Sequence, residues 1–242
     1  MKDRKIQLEG GFNVRDIGGY VTEDGHTIRW SRMLRGDNTN ALSQPDVELI
    51  LNYGLTSEID LRGHAEIDAA PSVFKADRRV QYRNIDLFPS ELSRQWESGS
   101  MASYYIFCLE RSGIQISAVL EAVSSAISEG CVLVHCAAGK DRTGIITALI
   151  LRSLRVPIDV VAEDYALSWQ YLQPLIELLK QRAFERGENP DDVSRGFGSA
   201  RPETMIETLK YIESRYGGID SYLKALEVPL NFTEDLANGL LQ

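Results

Sequence analysis

The chain has 242 residues, 43% of them hydrophobic and 25% charged, enough to bury one substantial core without division into domains. With 35 acidic against 26 basic side chains its formal net charge is -9, which excludes a general nucleic-acid binder and a broad attachment to anionic membrane. No apolar run approaches the ~20 residues of a membrane span, and the charged start MKDRKIQLEGGFNVRD lacks an apolar h-region, so the expectation is a soluble, cytoplasmic protein, with leaderless secretion left open.

Along the chain, YVTEDGHTIRW reads as a hairpin, because Asp24-Gly25 tolerates positive φ at the turn. Ser43-Gln44-Pro45-Asp46 opens a helix with Ser as N-cap and Pro in the first turn, and Gly54 follows its last periodic residue. LTSEIDLR and QYRNIDLF are strand candidates. CVLVHC is a third, apolar enough to lie centrally in a sheet covered on both faces. SELSRQWESGSMASYYIFCLERSG and IQISAVLEAVSSAIS have helical spacing, and the stretch 89–113 is a candidate helical lid or insertion. Helices follow in TGIITALILRSL, IDVVAEDYALSW, YLQPLIELLKQRAF, PETMIETLKYIESRYGG and the SYLKALEV and NFTEDLANGLL pair, while the acidic NPDD at 189–192 reads as a solvated loop. These elements predict an α/β layered domain over 1–242, a central sheet flanked by helices with a helix-rich C-terminal half.

The stretch VLVHCAAGKDRTGI, residues 132–145, runs from an apolar strand through a small-residue loop into an apolar helix. Such a turn aims backbone N–H groups and the positive helix end into one concavity, which suits a phosphate and equally a thiolate. Cys136 sits where that field lowers a thiol's pKa, and Arg142 can return as a bidentate fork for two phosphate oxygens. Thr143 is placed to donate its hydroxyl to the sulfur. Cys108, in an aromatic helix, and Cys131, at a strand start, read as core residues, and no disulfide framework is present. Alternation puts His135 on the face opposite Cys136, as a structural residue that orders the loop. His26 and His64 have no metal-type spacing with any cysteine, so no metal site and no cofactor is expected.

His135-Cys136-Ala-Ala-Gly-Lys-Asp-Arg142-Thr matches the H-C-x5-R-[ST] signature of cysteine-dependent phosphatases. With Gly139-Lys140-Asp141 inside it, the loop resembles the bacterial and fungal tyrosine-phosphatase-like family that reads H-C-x-x-G-K-D-R-T-G, whose members include dual and triple specificity phosphatases acting on phosphoproteins and phosphoinositides. NVRDIGG (13–19), IDLR (59–62), EDY (163–165) and the ARPETM to YIESRYGGIDSYL region resemble that family's other stretches, in the same order. The resemblance implies a cysteine-phosphatase-like fold and a two-step, metal-free mechanism. Cys136 attacks phosphorus, water hydrolyses the phosphocysteine, and Arg142 with the loop amides holds the equatorial oxygens. Ala137, Ala138, Gly139, Lys140, Thr143 and Gly144 are then the candidate phosphate and substrate contacts.

A leaving oxygen needs a proton, and none of Trp30, Trp96 and Trp169 is followed by the Pro-Asp of ordinary tyrosine phosphatases. The candidates are Asp141, Asp60 and Asp86. Asp141 is preferred because like-charge repulsion beside a phosphate dianion favours its protonated form, and the resemblance points the same way; it could instead brace Lys140 or Arg142. Lys140 is either a contact to a second phosphate or acidic substrate, or a solvated lysine. Arg15 and Asp16, in a loop of small residues, form a buttressing ion pair or leave Arg15 to touch substrate; Gly18-Gly19 implies close backbone packing there. Asp60 and Arg15 are secondary site candidates. Tyr104, Tyr105 and Phe107 either cover a hydrophobic substrate or pack as ordinary helix residues.

A nucleotide-binding P-loop fails twice, with Val134 and Asp141 where Gly and Ser or Thr are needed. A thiol-based sulfur-transfer or redox enzyme has no call for Arg142-Thr143 and lacks a Cys-x-x-Cys partner, and a non-catalytic phosphate-binding module would have lost the nucleophile. The expected partners are a phosphorylated protein or peptide, or a phosphoinositide or inositol phosphate, with no nucleic acid and no stable membrane insertion.

Overall fold

The structure is a computed structural model that describes residues 3–242; Met1 and Lys2, which open the charged start, lie outside the described residues. In chain order the elements are β1 (Arg15–Asp16), β2 (Met33–Gly36), α1 (Gln44–Asn52), β3 (Leu55–Asp60), α2 (His64–Ala69), a 3-10 turn (Val73–Ala76) and β4 (Gln81–Asn84). They continue with α3 (Ser90–Ser93), α4 (Met101–Arg111), α5 (Gly113–Glu129), β5 (Cys131–His135), α6 (Asp141–Ser153) and α7 (Ile158–Glu185). The last four are α8 (Pro190–Phe197), α9 (Pro202–Tyr216), α10 (Ile219–Ala225) and α11 (Phe232–Leu240). This is a mixed α/β fold with a central five-stranded sheet flanked by helices, and its C-terminal half is helical.

The sheet order is β1-β2-β5-β3-β4, with β1 antiparallel to β2 and every other pair parallel. All five residues of β5 are buried, as its apolar run requires of a strand covered on both faces. Its side chains alternate. Val132 and Val134 face the larger core, built on α5, α6 and α9, while Cys131 and Leu133 face the smaller one under α1 with Leu34, Ile50 and Phe74. Each of these apolar side chains contributes about 1.5–3 kcal/mol by leaving water.

Register brings Gly36, His135, Asp60 and Asn84 into one row across β2, β5, β3 and β4. The chain therefore leaves these strands at the same edge, the carboxyl end of the parallel strands, where α/β folds place their binding groups. The loop after β5 is pressed against the end of β2: Gly139 has φ +66, and a Cβ there would stand 2.3 Å from the Gly36 carbonyl oxygen. Only glycine fits both the conformation and the space.

The N-terminal signals of α1 hold as read, with Ser43 in a capping box with Asp46 and Gly54 at φ +109 beyond the end. The Asp24-Gly25 turn also forms, with Gly25 at φ +89 and Val21 bridged to Thr27, though the pairing extends little further. Gly18 packs as expected, its Cβ position 2.8 Å from the Trp30 Cα. Three readings need correction. NVRDIGG is not all loop, since Arg15–Asp16 pairs with Leu34 and Arg35 of β2, a strand whose alternation is too short to register in the sequence. NPDD is not a solvated loop: Asn189 caps α8 by accepting from the Asp191 amide, Pro190 takes the first turn, and the two aspartates sit at the positive helix end. The stretches IDVVAEDYALSW and YLQPLIELLKQRAF are one 28-residue helix with Pro174 inside it, because the buried face Val161, Tyr165, Ser168, Leu172 and Ile176 runs straight through. In the stretch 89–113, α4 packs on α9 and α5.

No helix among the described residues is long and apolar enough to cross a membrane.

Among the buried charges is Asp164 on α7, 1% exposed. Its carboxylate takes Arg15 Nε at 3.0 Å on one oxygen and Arg35 Nη1 at 2.6 Å on the other, with the Tyr20 hydroxyl also donating. Although burial pushes this carboxyl upward, the two guanidinium groups hold it well below the usual carboxylate range. Its stabilising contribution is therefore present above an unfolded-state value of about 3.9 and lost only as pH falls through the depressed folded value. Asp164→Asn leaves two buried cations without a counter-charge and is expected to cost about 3–5 kcal/mol, read as a lowered urea midpoint at neutral pH; a midpoint unchanged from wild type would refute the role.

Candidate active site

The loop between β5 and α6 is shaped by where its carbonyls go. The His135 oxygen accepts from the Leu61 amide, Cys136 O from His135 Nδ1 at 3.2 Å, and Ala137 O from the Asn38 amide. Ala138 O accepts from Asn13 Nδ2 at 2.8 Å, and Gly139 O from Arg35 Nη2 at 2.8 Å. In a trans peptide the N–H points opposite to the C=O, so the amides of residues 137–140 face the other way, together with the first free amides of α6. The result is a concavity of donors at a positive helix end, a place for an anion.

His135 is fully buried on the opposite face, as alternation requires. Its Nε2 lies 3.1 Å from Glu58 Oε1 and 3.7 Å from Asp60 Oδ2. Burial pulls the imidazole down, but the Glu58 carboxylate, with Asp60 behind it, raises it overall and favours the form in which both ring nitrogens are donors. Thr39 and Ser72 donate to Glu58 in turn.

Cys136 is 3% exposed, and the three cysteines separate sharply. Burial pushes Cys108 and Cys131 up to about 12. Burial opposes ionisation of Cys136 too, yet Arg142, then the Thr143 hydroxyl and amide, lower it below the ordinary thiol range. Thr143 Oγ1 is buried beside the thiol that it lowers.

Arg142 does not stand free. Its Nη1 and Nη2 donate to Glu66 Oε2 at 2.5 Å and Oε1 at 2.7 Å, and Glu66 also accepts from the Gly63 amide at the start of α2. A guanidinium has five N–H groups, so this end-on pair leaves the Nε and Nη2 edge for two further oxygens. Glu66 escaped the sequence reading because its only signal is a helix-capping position three residues after Gly63. Arg142, Asp141, Glu66 and Asp86 border a cavity of about 790 Å³ whose apolar wall is Phe88, Met101 and Tyr104.

Asp141 opens α6 with its side chain 34% exposed. One carboxylate oxygen accepts from the Tyr105 hydroxyl, and Lys140 Nζ lies 3.6 Å from it. Tyr105, not Tyr104 or Phe107, thus turns toward the loop; Tyr104 and Phe107 pack on Trp96. Lys140 is neither solvated nor presented to the cavity beside Arg142: it is 4% exposed, donates to the Phe197 carbonyl and borders a second cavity of about 360 Å³ under α8. Asp60 is held bidentately by Arg62 and by Tyr82, fully buried.

The expected Arg15–Asp16 pair does not form. Arg15 pairs with Asp164 and reaches Asn13 Oδ1, so it buttresses the loop through Asn13 and, by way of Asp164 and Arg35, through Gly139. Asp16 instead accepts from the Gly18 and Ser31 amides and the Tyr53 hydroxyl.

A sequence model described as the tyrosine phosphatase family matches residues 6–242. The chain belongs to that family. It is a protein-tyrosine/dual-specificity-type phosphatase. A tyrosine-protein phosphatase of Nostoc commune is 32% identical over 206 residues, covering 81% of this chain and 69% of the relative. The triple specificity protein phosphatase PtpB of Mycobacterium tuberculosis is 25% identical over 261 residues, covering 90% and 92%. The crystal structure of P. aeruginosa TpbA aligns at a TM-score of 0.43 and 14% identity over 84% of this chain and 90% of that one. Among the phosphatase's described residues no group of three or more His, Cys, Asp or Glu is arranged to hold a metal ion.

Thiolate ultraviolet absorbance tests the field at the loop. The difference between wild type and Cys136→Ser is expected to titrate below the ordinary thiol value of about 8.5, while Cys108 and Cys131 stay protonated until strongly alkaline pH; co-titration of all three would show that the loop field is absent.

Proposed function

We propose that this phosphatase hydrolyses phosphate monoesters through a phosphocysteine intermediate, with phosphotyrosine as its principal substrate. Cys136 Sγ attacks phosphorus, the open edge of Arg142 and the amides of residues 137–142 hold the three equatorial oxygens, and Asp141 protonates the departing oxygen. Water then attacks the phosphocysteine, with Asp141 taking its proton. The observation that carries this reading is the run of outward-bound carbonyls after β5, beside a Cys136 lowered by Arg142 and Thr143. It stands against a non-catalytic phosphate-binding module, which has no use for a cysteine lowered by Arg142 and Thr143, and against a sulfur-transfer or redox enzyme, for which no second thiol is paired. The family match from residue 6 to 242 supports one phosphatase domain, with 89–113 as the candidate lid.

Substrate preference follows from the cavity. Phe88, Met101 and Tyr104 suit an aryl ring, whereas Glu66 and Asp86 offset Arg94 and Arg142 and repel further phosphates. A single phosphate on an aromatic ring is favoured over a polyphosphorylated inositol headgroup. Phosphoserine, phosphothreonine and phosphoinositides rank behind it; the triple specificity in the name of the M. tuberculosis relative makes them the substrates to run alongside.

In EDTA the wild type is expected to hydrolyse an activated aryl phosphate and a phosphotyrosine peptide, and Cys136→Ser to lose all turnover while still binding phosphate analogues. Retained turnover in that variant would refute the phosphocysteine route, and a phosphoinositide hydrolysed faster than the peptide would overturn the ranking. Asp141→Asn is expected to slow phenyl phosphate about 100-fold more than 4-nitrophenyl phosphate, since only the poorer leaving group depends on a proton donor.

A further inference from the structure

Asp141 is not simply left at the rim of the cavity by the start of α6. Its Oδ1 accepts from Tyr105, a residue with no exposed surface in the middle of α4. The Tyr105 hydroxyl is also 2.8 Å from the hydroxyl of Tyr165, and the two rings meet edge to face at 6.1 Å and 89°. Tyr165 is 1% exposed and follows Asp164, whose carboxylate is fixed by Arg15, Arg35 and Tyr20. On its other side Tyr165 lies against Gly144, where a Cβ would come within 2.9 Å of the Tyr165 ring. The second phenol is thus clamped between α7 and the first turn of α6, and the first phenol hangs from it.

We propose that Tyr105 is a positioning residue for the Asp141 carboxyl, held in turn by Tyr165, so that the acidic proton rests on Oδ2 and faces the cavity; this rests on the general-acid reading of Asp141. A carboxyl group has two oxygens. With Oδ1 occupied by a hydroxyl donor, a proton on the group has its place on the other oxygen. Tyr105 remains that donor because burial, with the nearby Asp141 carboxylate and the second phenol, keeps it protonated far beyond the ordinary phenol range. The charged and titratable groups around Asp141 are Lys140, Arg142, Cys136, Cys108 and the two tyrosines, with His64, Glu66, Asp86 and Arg94 on the shared cavity, and of these Tyr105 is bonded to Oδ1 while Lys140 stands 3.6 Å from it. As the sulfur–phosphorus bond forms and the phosphorus–oxygen bond breaks, the Oδ2 proton passes to the departing oxygen. In the second step the water oxygen bonds to phosphorus, the sulfur–phosphorus bond breaks to return the thiolate, and the water proton goes back to Oδ2.

The test compares kcat on phenyl phosphate and 4-nitrophenyl phosphate for Tyr105→Phe, Tyr165→Phe, Asp141→Asn and the Tyr105→Phe, Asp141→Asn double variant. Tyr105→Phe is expected to lose about tenfold more on the poor leaving group than on the activated one, with KM for both unchanged. Tyr165→Phe is expected to lose selectively in the same direction, and Tyr105→Phe to add no selective loss where Asp141 is already Asn. A merely structural tyrosine would lower both substrates together, and that outcome in Tyr105→Phe, or no loss at all, overturns the proposal. Should Tyr105→Phe fail to fold, the same readout in Tyr165→Phe decides. Equal loss on both substrates in Asp141→Asn overturns the acid reading and the positioning role with it, whereas selective loss there without selective loss in the tyrosine variants overturns the positioning role alone.

Discussion

Asp164 is a carboxylate taken out of water between two guanidinium groups, and such a charge is tolerated only when every one of its partners is present and correctly placed. That requirement fixes Arg15 and Arg35, and through them Asn13 and the carbonyls of Ala138 and Gly139. The next residue, Tyr165, reaches the front of the same loop through Tyr105 and Asp141. Two adjacent positions on one helix thereby set both the back and the front of the anion site. The loop is rigid because its carbonyls are bound, and its amides are available for the same reason.

The electrostatics of the site depend on which charges are already matched. Arg142 carries Glu66 on one end and keeps one edge open, so the guanidinium is oriented before substrate arrives. His135, raised by Glu58, holds the Cys136 carbonyl from behind the loop. Lys140 is committed to Phe197, which links the loop to the end of α8 and leaves the larger cavity to Arg142 and Arg94.

Much of this could be read from residue order because the signals were local. CVLV (131–134) is apolar without interruption and became the body of the central strand; Ser43-Gln-Pro-Asp46 is a complete cap and became one; Gly139 marks a backbone that only glycine adopts. What could not be read depends on long-range pairing. The partner of Arg15 lies 149 residues away, so proximity in sequence suggested Asp16 instead. Glu66 lies 76 residues from Arg142, and Tyr105 is 36 from Asp141, with nothing in the sequence to single it out from Tyr104. The strand Met33–Gly36 is four residues long and identifiable only by its neighbours. The NPDD cap was legible and was outweighed by its polarity; α8 is polar on average and buries no residue, so no core-facing apolar run marks it.

The helix that follows the loop has almost no solvent face: from Thr143 through Leu151 every residue of α6 is buried. Helices of that kind exchange their amide hydrogens only when the whole domain opens, since no cheaper local opening exposes them. The anion-binding turn is spliced to the front of this element and shares its cooperative unit. Any adaptation to substrates of different size must then fall to the walls around the turn, such as α3 and α4, and heat is expected to abolish catalysis and global structure in a single transition.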